Sequence, residues 1–150
     1  MQLKITNIIA VSTLEWYNQK TEELKKLPLK TQWTIRKNMK ILEPISQEFM
    51  NFRQELEEKK TSEWFVEGNG KCEKKTDEDG NEILKILDEY MDEFMSYNND
   101  INQQINEIAF EEVEVEVNEI DLEDLVNYID ENKIDLDMDD IDMLSIFEKN

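Results

Sequence analysis

Apolar residues recur along this chain in two rhythms, one alternating and one stepping by three and four, and the two divide it into elements. Leu3 and Ile5 alternate with polar neighbours, which predicts a short strand over residues 2–5. Thr6 or Asn7 then offers a side-chain oxygen to cap a helix. Ile8, Val11 and Leu14, continued by Trp16, Tyr17 and Leu24, give that helix an apolar side to about Lys26. It ends at Leu27, because the residue before Pro28 avoids the helical region. Thr31 is placed to cap a second, longer helix. Its Ile35, Met39, Leu42, Ile45, Phe49, Phe52 and Leu56 step by 4, 3, 3, 4, 3 and 4, close to the seam of a helix packed lengthwise on another. Pro44 is expected to kink it, and the charged residues 57–60 to close it.

All three glycines fall within residues 61–81. A hairpin is expected there, residues 63–67 against 71–75 around Gly68, Asn69 and Gly70, followed by a turn at Asp79, Gly80 and Asn81. A third helix is expected over 82–108, carrying Ile83, Leu87, Tyr90, Met91, Phe94, Ile101, Ile105 and Ile108, with Asn98, Asn99 and Asp100 weakening its middle. Val113, Val115 and Val117 alternate with Glu112, Glu114 and Glu116, the clearest strand in the chain. Short helices are expected over 122–129 and 138–147. The fold class that follows is α+β and mostly helical: long antiparallel helices with one small β-sheet built from the N-terminal strand, residues 63–75 and residues 112–118. No repeat or linker divides the chain, so residues 1–150 read as a single acidic domain.

Composition sharpens this picture. The chain is lean in hydrophobic residues at 39% and rich in charged ones at 36%, with three Gly and two Pro, which suits long helices under a heavily solvated surface. The longest aliphatic run, residues 8–11, is far too short to span a bilayer, and the N-terminus lacks the pattern of a signal peptide. A lone cysteine, Cys72, cannot form an internal disulfide and suits a reducing compartment. Charge is distributed unevenly. Residues 1–60 carry a net +3, residues 61–110 a net −9 and residues 111–150 a net −14, for −20 overall. A nucleic-acid duplex or an anionic membrane is repelled by the C-terminal half, and a protein with a basic groove is attracted to it.

Catalytic chemistry finds little footing. Histidine, the commonest general base and metal ligand, is absent. Cys72 has no histidine to activate it, and neither a phosphate-cradling glycine loop nor a nucleophile elbow occurs. No enzyme activity and no cofactor are expected. Two aspartate clusters invite a calcium reading and fail on spacing. Aligning Gly80 with the glycine of a calcium loop puts Lys75 and Ile86 at the first and last ligand positions. In the cluster of Asp135, Asp137 and Asp139, Asp140 replaces the glycine and Ile146 the closing glutamate. A turn and a solvated helix start are the plainer readings, and no metal site is expected. Of the aromatics, Trp33 is expected in the core, whereas Trp64 and Phe65, beside the glycine-rich loop, fit either core packing or an interface anchor.

The acidic surface carries the functional expectation. Glu112, Glu114 and Glu116 on one strand face are spaced by about 6.6 to 6.8 Å, near twice the phosphate rise of about 3.4 Å along one strand of a duplex. Phosphate mimicry is thereby permitted, solubility being the plainer alternative. The expected partner-binding residues are these three with Glu119, Asp121, Glu123 and Asp124, joined by Trp64 and Phe65.

Several segments also recur together in a known order. These are Leu3, Lys4, Ile5, Asn7 and Ile8; the turn Leu27, Pro28, Leu29 and Lys30 before a long helix; Asp77, Glu78, Asp79, Gly80 and Asn81; residues 112–117; and residues 120–125 followed by a terminal helix with Met143 and Leu144. In this the chain resembles a family of small uncharacterised proteins from phages and prophages of low-GC Gram-positive bacteria, known as a domain of unknown function, and departs from it in a longer, more acidic stretch over 126–142. The resemblance implies a phage origin and the cytoplasm of a bacterial host, without an activity. Small acidic phage proteins as a class disable host nucleases or immune effectors, or serve as assembly factors. The expectation is therefore a non-enzymatic, anti-defence inhibitor, its partner a host protein with a basic nucleic-acid-binding groove such as a CRISPR effector or nuclease. It is not expected to bind nucleic acid or membrane itself, and a homo-oligomer is left open. The alternative is a phage assembly or tail-module accessory protein or chaperone, binding structural subunits through the helical seam.

Overall fold

The chain, described over residues 1–149 in a computed structural model, is α+β and mostly helical. Strand β1 (Gln2–Thr6) leads directly into helix α1 (Asn7–Gln19), and of the two expected caps it is Thr6 that accepts from the Ile9 amide. The apolar side read as one helix to Lys26 is broken at Lys20, after which a single turn, α2 (Thr21–Leu24), precedes Pro28. Helix α3 (Leu29–Trp64) starts before Thr31, passes through Pro44 and outruns the charged residues 57–60. Of its seam, Ile35, Met39, Leu42 and Phe49 are buried, while Ile45, Phe52 and Leu56 are half-buried.

The hairpin differs from expectation. Residues 63 and 64 belong to α3, and the two strands are β2 (Cys72–Thr76) and β3 (Glu82–Ile86), paired antiparallel with Cys72 opposite Ile86. Gly68, Asn69 and Gly70 make the link from helix to strand. The Asn69 side chain donates to the Trp64 carbonyl and accepts from the amides of Lys71 and Cys72, so it ties the end of α3 to the start of β2. The reversal itself falls at Asp77, whose carboxylate accepts from the amides of Asp79 and Asn81, with Gly80 at φ +82° supplying the left-handed turn residue. The helix expected from 82 begins only at α4 (Met91–Ala109), after β3 and a 3₁₀ turn at Asp88–Tyr90.

Strand β4 (Glu112–Glu116) pairs antiparallel with β1, Gln2 opposite Glu116 and Thr6 opposite Glu112. The strands thus form two separate two-stranded sheets, not the single sheet expected. Helices α5 (Leu122–Asn132) and α6 (Met138–Leu144) complete the chain with a 3₁₀ turn at Ser145–Phe147.

Contacts gather into two compact units within the chain: Met1–Glu48 with Ala109–Asn150, and Phe49–Ile108. The first unit has a mostly aliphatic core that includes Ile35, Leu42, Leu125 and Leu144 together with the ring of Phe147, against which Leu3 and Val115 of the β1–β4 sheet pack. The second closes around Trp64. Its ring meets Phe94 edge-on at 5.4 Å and Tyr97 at 5.7 Å, and Lys60 donates to Asn98. Trp64 against Phe94 and Lys60 against Asn98 put the end of α3 and the start of α4 antiparallel.

Candidate docking surface

The alternation that marks β4 sorts its side chains between two faces. Val113 and Val115 lie opposite Ile5 and Leu3 on the core side, while Glu112, Glu114 and Glu116 lie opposite Thr6, Lys4 and Gln2 on the outer side. The glutamate row therefore shares its face with a lysine. Glu116 is further engaged by the Gln2 amide and by the N-terminal ammonium at 2.7 Å. Beyond the strand, the Asn118 backbone and side chain both donate to the fully buried Asn38, whose amide donates back to the Asn118 carbonyl at 2.8 Å. This clamp holds β4 against α3 and fixes where the following residues emerge. Asp121 caps α5 by accepting from the Asp124 amide, and Glu123 and Asp124 sit in its first turn, where the helix dipole favours negative charge.

All seven carboxylates expected to bind a partner are exposed, and they follow one another along one stretch of chain. Two of them have structural work: Glu116 in its ion pair and Asp121 as a cap. Among the described residues Glu112, Glu114, Glu119 and Glu123 have no hydrogen-bonded or ion-paired partner, so their carboxylates are left to face solvent. Glu119, Asp121 and Asp124 also line a groove of about 490 Å³ with Lys30, Thr34 and Tyr128.

The aromatics fall out differently. Trp64 is only 3% exposed and lies in the core of the second unit, which removes it as a surface anchor; half-buried Phe65 stacks edge-on against Phe94 at 5.5 Å. Both belong to the second unit, whereas the seven carboxylates belong to the first. Trp33, expected in the core, is 55% exposed. It precedes Ile35 by two residues, about 200° around the helix, and so points away from the seam.

Asp140 went unrecognised among its acidic neighbours. It is buried, accepts from the Trp16 indole at 2.8 Å and from the Asp137 amide, lies 3.7 Å from the Lys20 ammonium, and completes a capping box at the start of α6. Burial alone would raise its pKa. The Trp16 and Asp137 hydrogen bonds and the Lys20 charge outweigh that and hold the carboxyl below its ordinary value. Its only sequence signal is the capping pair Asp137 and Asp140, three residues apart.

No group of three His, Cys, Asp or Glu residues among those described is arranged to hold a metal ion, and no helix is long and apolar enough to cross a membrane. Comparison with family models, curated proteins and solved structures finds no match.

Proposed function

We propose that this chain is a phage-encoded, non-enzymatic inhibitor that occupies the basic groove of a host defence or nucleic-acid-handling protein with the surface formed by β4 and α5. One observation carries the reading. Residues 111–132 hold ten Asp and Glu, every one exposed, and no Lys or Arg. Such an acidic excess, bordered by Lys4, Lys30 and Lys149, steers a basic partner toward the surface and repels nucleic acid. The resemblance to a family of small phage proteins supports the origin, and what small acidic phage proteins do as a class supports the kind of target. The alternative of an assembly factor that binds through the helical seam has less support, since Ile35, Met39, Leu42 and Phe49 are buried and Ile45, Phe52 and Leu56 are half-buried.

Affinity capture from a Gram-positive bacterial lysate tests the reading. Wild-type protein is compared with a variant in which Glu112, Glu114, Glu119 and Glu123 are all Gln. Wild type is expected to retain a nucleic-acid-binding protein that added duplex DNA or RNA displaces, and the variant to retain much less of it. Equal capture by both, or capture indifferent to nucleic acid, rejects the proposal.

A further inference from the structure

A second surface of the first unit has the opposite character. Residues 20–40 hold seven Lys and Arg against two Glu, and within them lies a pocket of about 310 Å³. Leu24 and Ile35 form its buried floor, Tyr17 and Trp33 its aromatic walls, and Lys25 and Arg36 part of its rim. The pocket is preformed, because the Gln32 side chain donates to the carbonyls of Lys25 and Leu27 and so pins the α2–α3 turn against α3. Lys25 pairs with Glu22 at 3.1 Å, but both groups are well exposed and such a pair is weak. Leu29 beside the pocket is 82% exposed. Trp, Tyr and Arg around a pocket are the residue types that concentrate binding energy at interfaces.

The complement of this pocket is present on the same unit. Helix α6 turns Asp140, Ile141 and Leu144 inward and leaves Met138, Asp139 and Asp142 exposed, with Asp135 exposed just before it. Met138 is 68% exposed, a flexible apolar side chain suited to filling an irregular pocket, and carboxylates flank it on both sides. We propose that the pocket receives Met138 of a second copy of this chain, with Asp139 and Asp142 of that copy facing Lys25 and Arg36. Because each copy carries both halves of the contact, a two-fold arrangement makes it twice and closes at a dimer. A nucleic-acid strand fits the basic edge less well. Lys30 at its end shares a groove with Glu119, Asp121 and Asp124, so a phosphate chain running on from the pocket meets carboxylates.

Sedimentation of the full chain tests this at physiological salt, where charges more than about 8 Å apart are largely screened. Wild type is expected to show a monomer–dimer equilibrium. Met138→Ala and Trp33→Ala should each weaken it at least about tenfold while leaving unchanged the melting curve taken at a concentration where the chain is monomeric, since both side chains are exposed. Arg36→Glu and Asp142→Lys should each weaken it too, and the doubly substituted chain should recover most of the loss. A wild type that stays monomeric at every concentration up to about 0.5 mM overturns the proposal. So does a dimer indifferent to Met138 and Trp33, or one abolished instead by substituting the exposed Phe110.

Discussion

The two compact units carry similar charge, a net −11 on the first and −9 on the second, yet they spend it differently. In the second unit bases are interleaved with acids. Lys60 pairs with Glu57, Lys74 with Glu67 and Glu82, and Lys75 with Glu73. In the first, the exposed run over residues 111–132 has no base of its own, and among the described residues Glu116 is its only carboxylate in an ion pair. Net charge alone therefore does not make a docking surface. An acidic excess becomes a directed field where it outnumbers the cations beside it, and here most of the first unit's cations lie over residues 20–40, of which Lys30 reaches the acidic groove.

The cores differ in parallel. The first unit joins distant parts of the sequence through buried polar contacts, Asn38 to Asn118 and Trp16 to Asp140, set in a mostly aliphatic core. The second is local and aromatic, gathered on one tryptophan with Cys72 and Ile86. Substituting Trp64→Ala should break the contrast most severely, costing about 3–5 kcal/mol. The loss should appear as accelerated amide exchange over residues 49–108, with the first unit's core still protected. A cost below about 1 kcal/mol would mean that the aromatic cluster does not hold the second unit together.

A smaller effect sharpens the comparison of buried polar groups. Asn38→Ala leaves the Asn118 amide without its acceptor and should cost about 1–3 kcal/mol in chemical denaturation. The Tyr97 hydroxyl of the second unit is shielded from solvent beside Glu63 without a well-formed hydrogen bond to it, so Tyr97→Phe should cost less than Asn38→Ala, under about 1 kcal/mol. Equal losses for the two substitutions would erase the distinction.

The pH response of Asp140 is the smallest effect. Its folded pKa is depressed, so its contribution is fully present above the ordinary carboxylate pKa and is lost as pH falls through the folded value. Wild type should exceed Asp140→Asn in stability at neutral pH. The gap should narrow as the solution is acidified below about pH 4, and a gap that widens there would contradict the assignment.

These contrasts also mark where the sequence was legible. Strand β4, the Thr6 cap, the seam of α3 and the two C-terminal helices each follow from a local pattern that tertiary packing reinforces. The hairpin lies elsewhere than expected because two glycine-bearing turns compete within fourteen residues of each other, and the contacts of Asn69 and Asp77 together decide which one reverses the chain. Residues 82–86 are too short for periodicity to separate strand from helix. Trp33 has the apolar bulk of a core residue, but its angular offset from Ile35 places it outside the seam. Of the expected site, the carboxylates were readable as an exposed strand face and helix start. The division between engaged and available ones was not, because it depends on β1, which lies more than a hundred residues away. Asp140 was hidden for the same reason: Trp16 and Lys20 reach it only in the folded chain.

The central claim is that the carboxylates left without partners on β4 and α5 steer the chain onto a basic protein. Its most direct test is the association rate with the captured protein, measured from low to high salt for wild type and for the chain with Glu112, Glu114, Glu119 and Glu123 replaced by Gln. At low salt the variant should associate about tenfold more slowly or worse, and the two rates should converge as salt rises. Rates that agree at every salt concentration would contradict the account and leave the acidic surface with no part in docking.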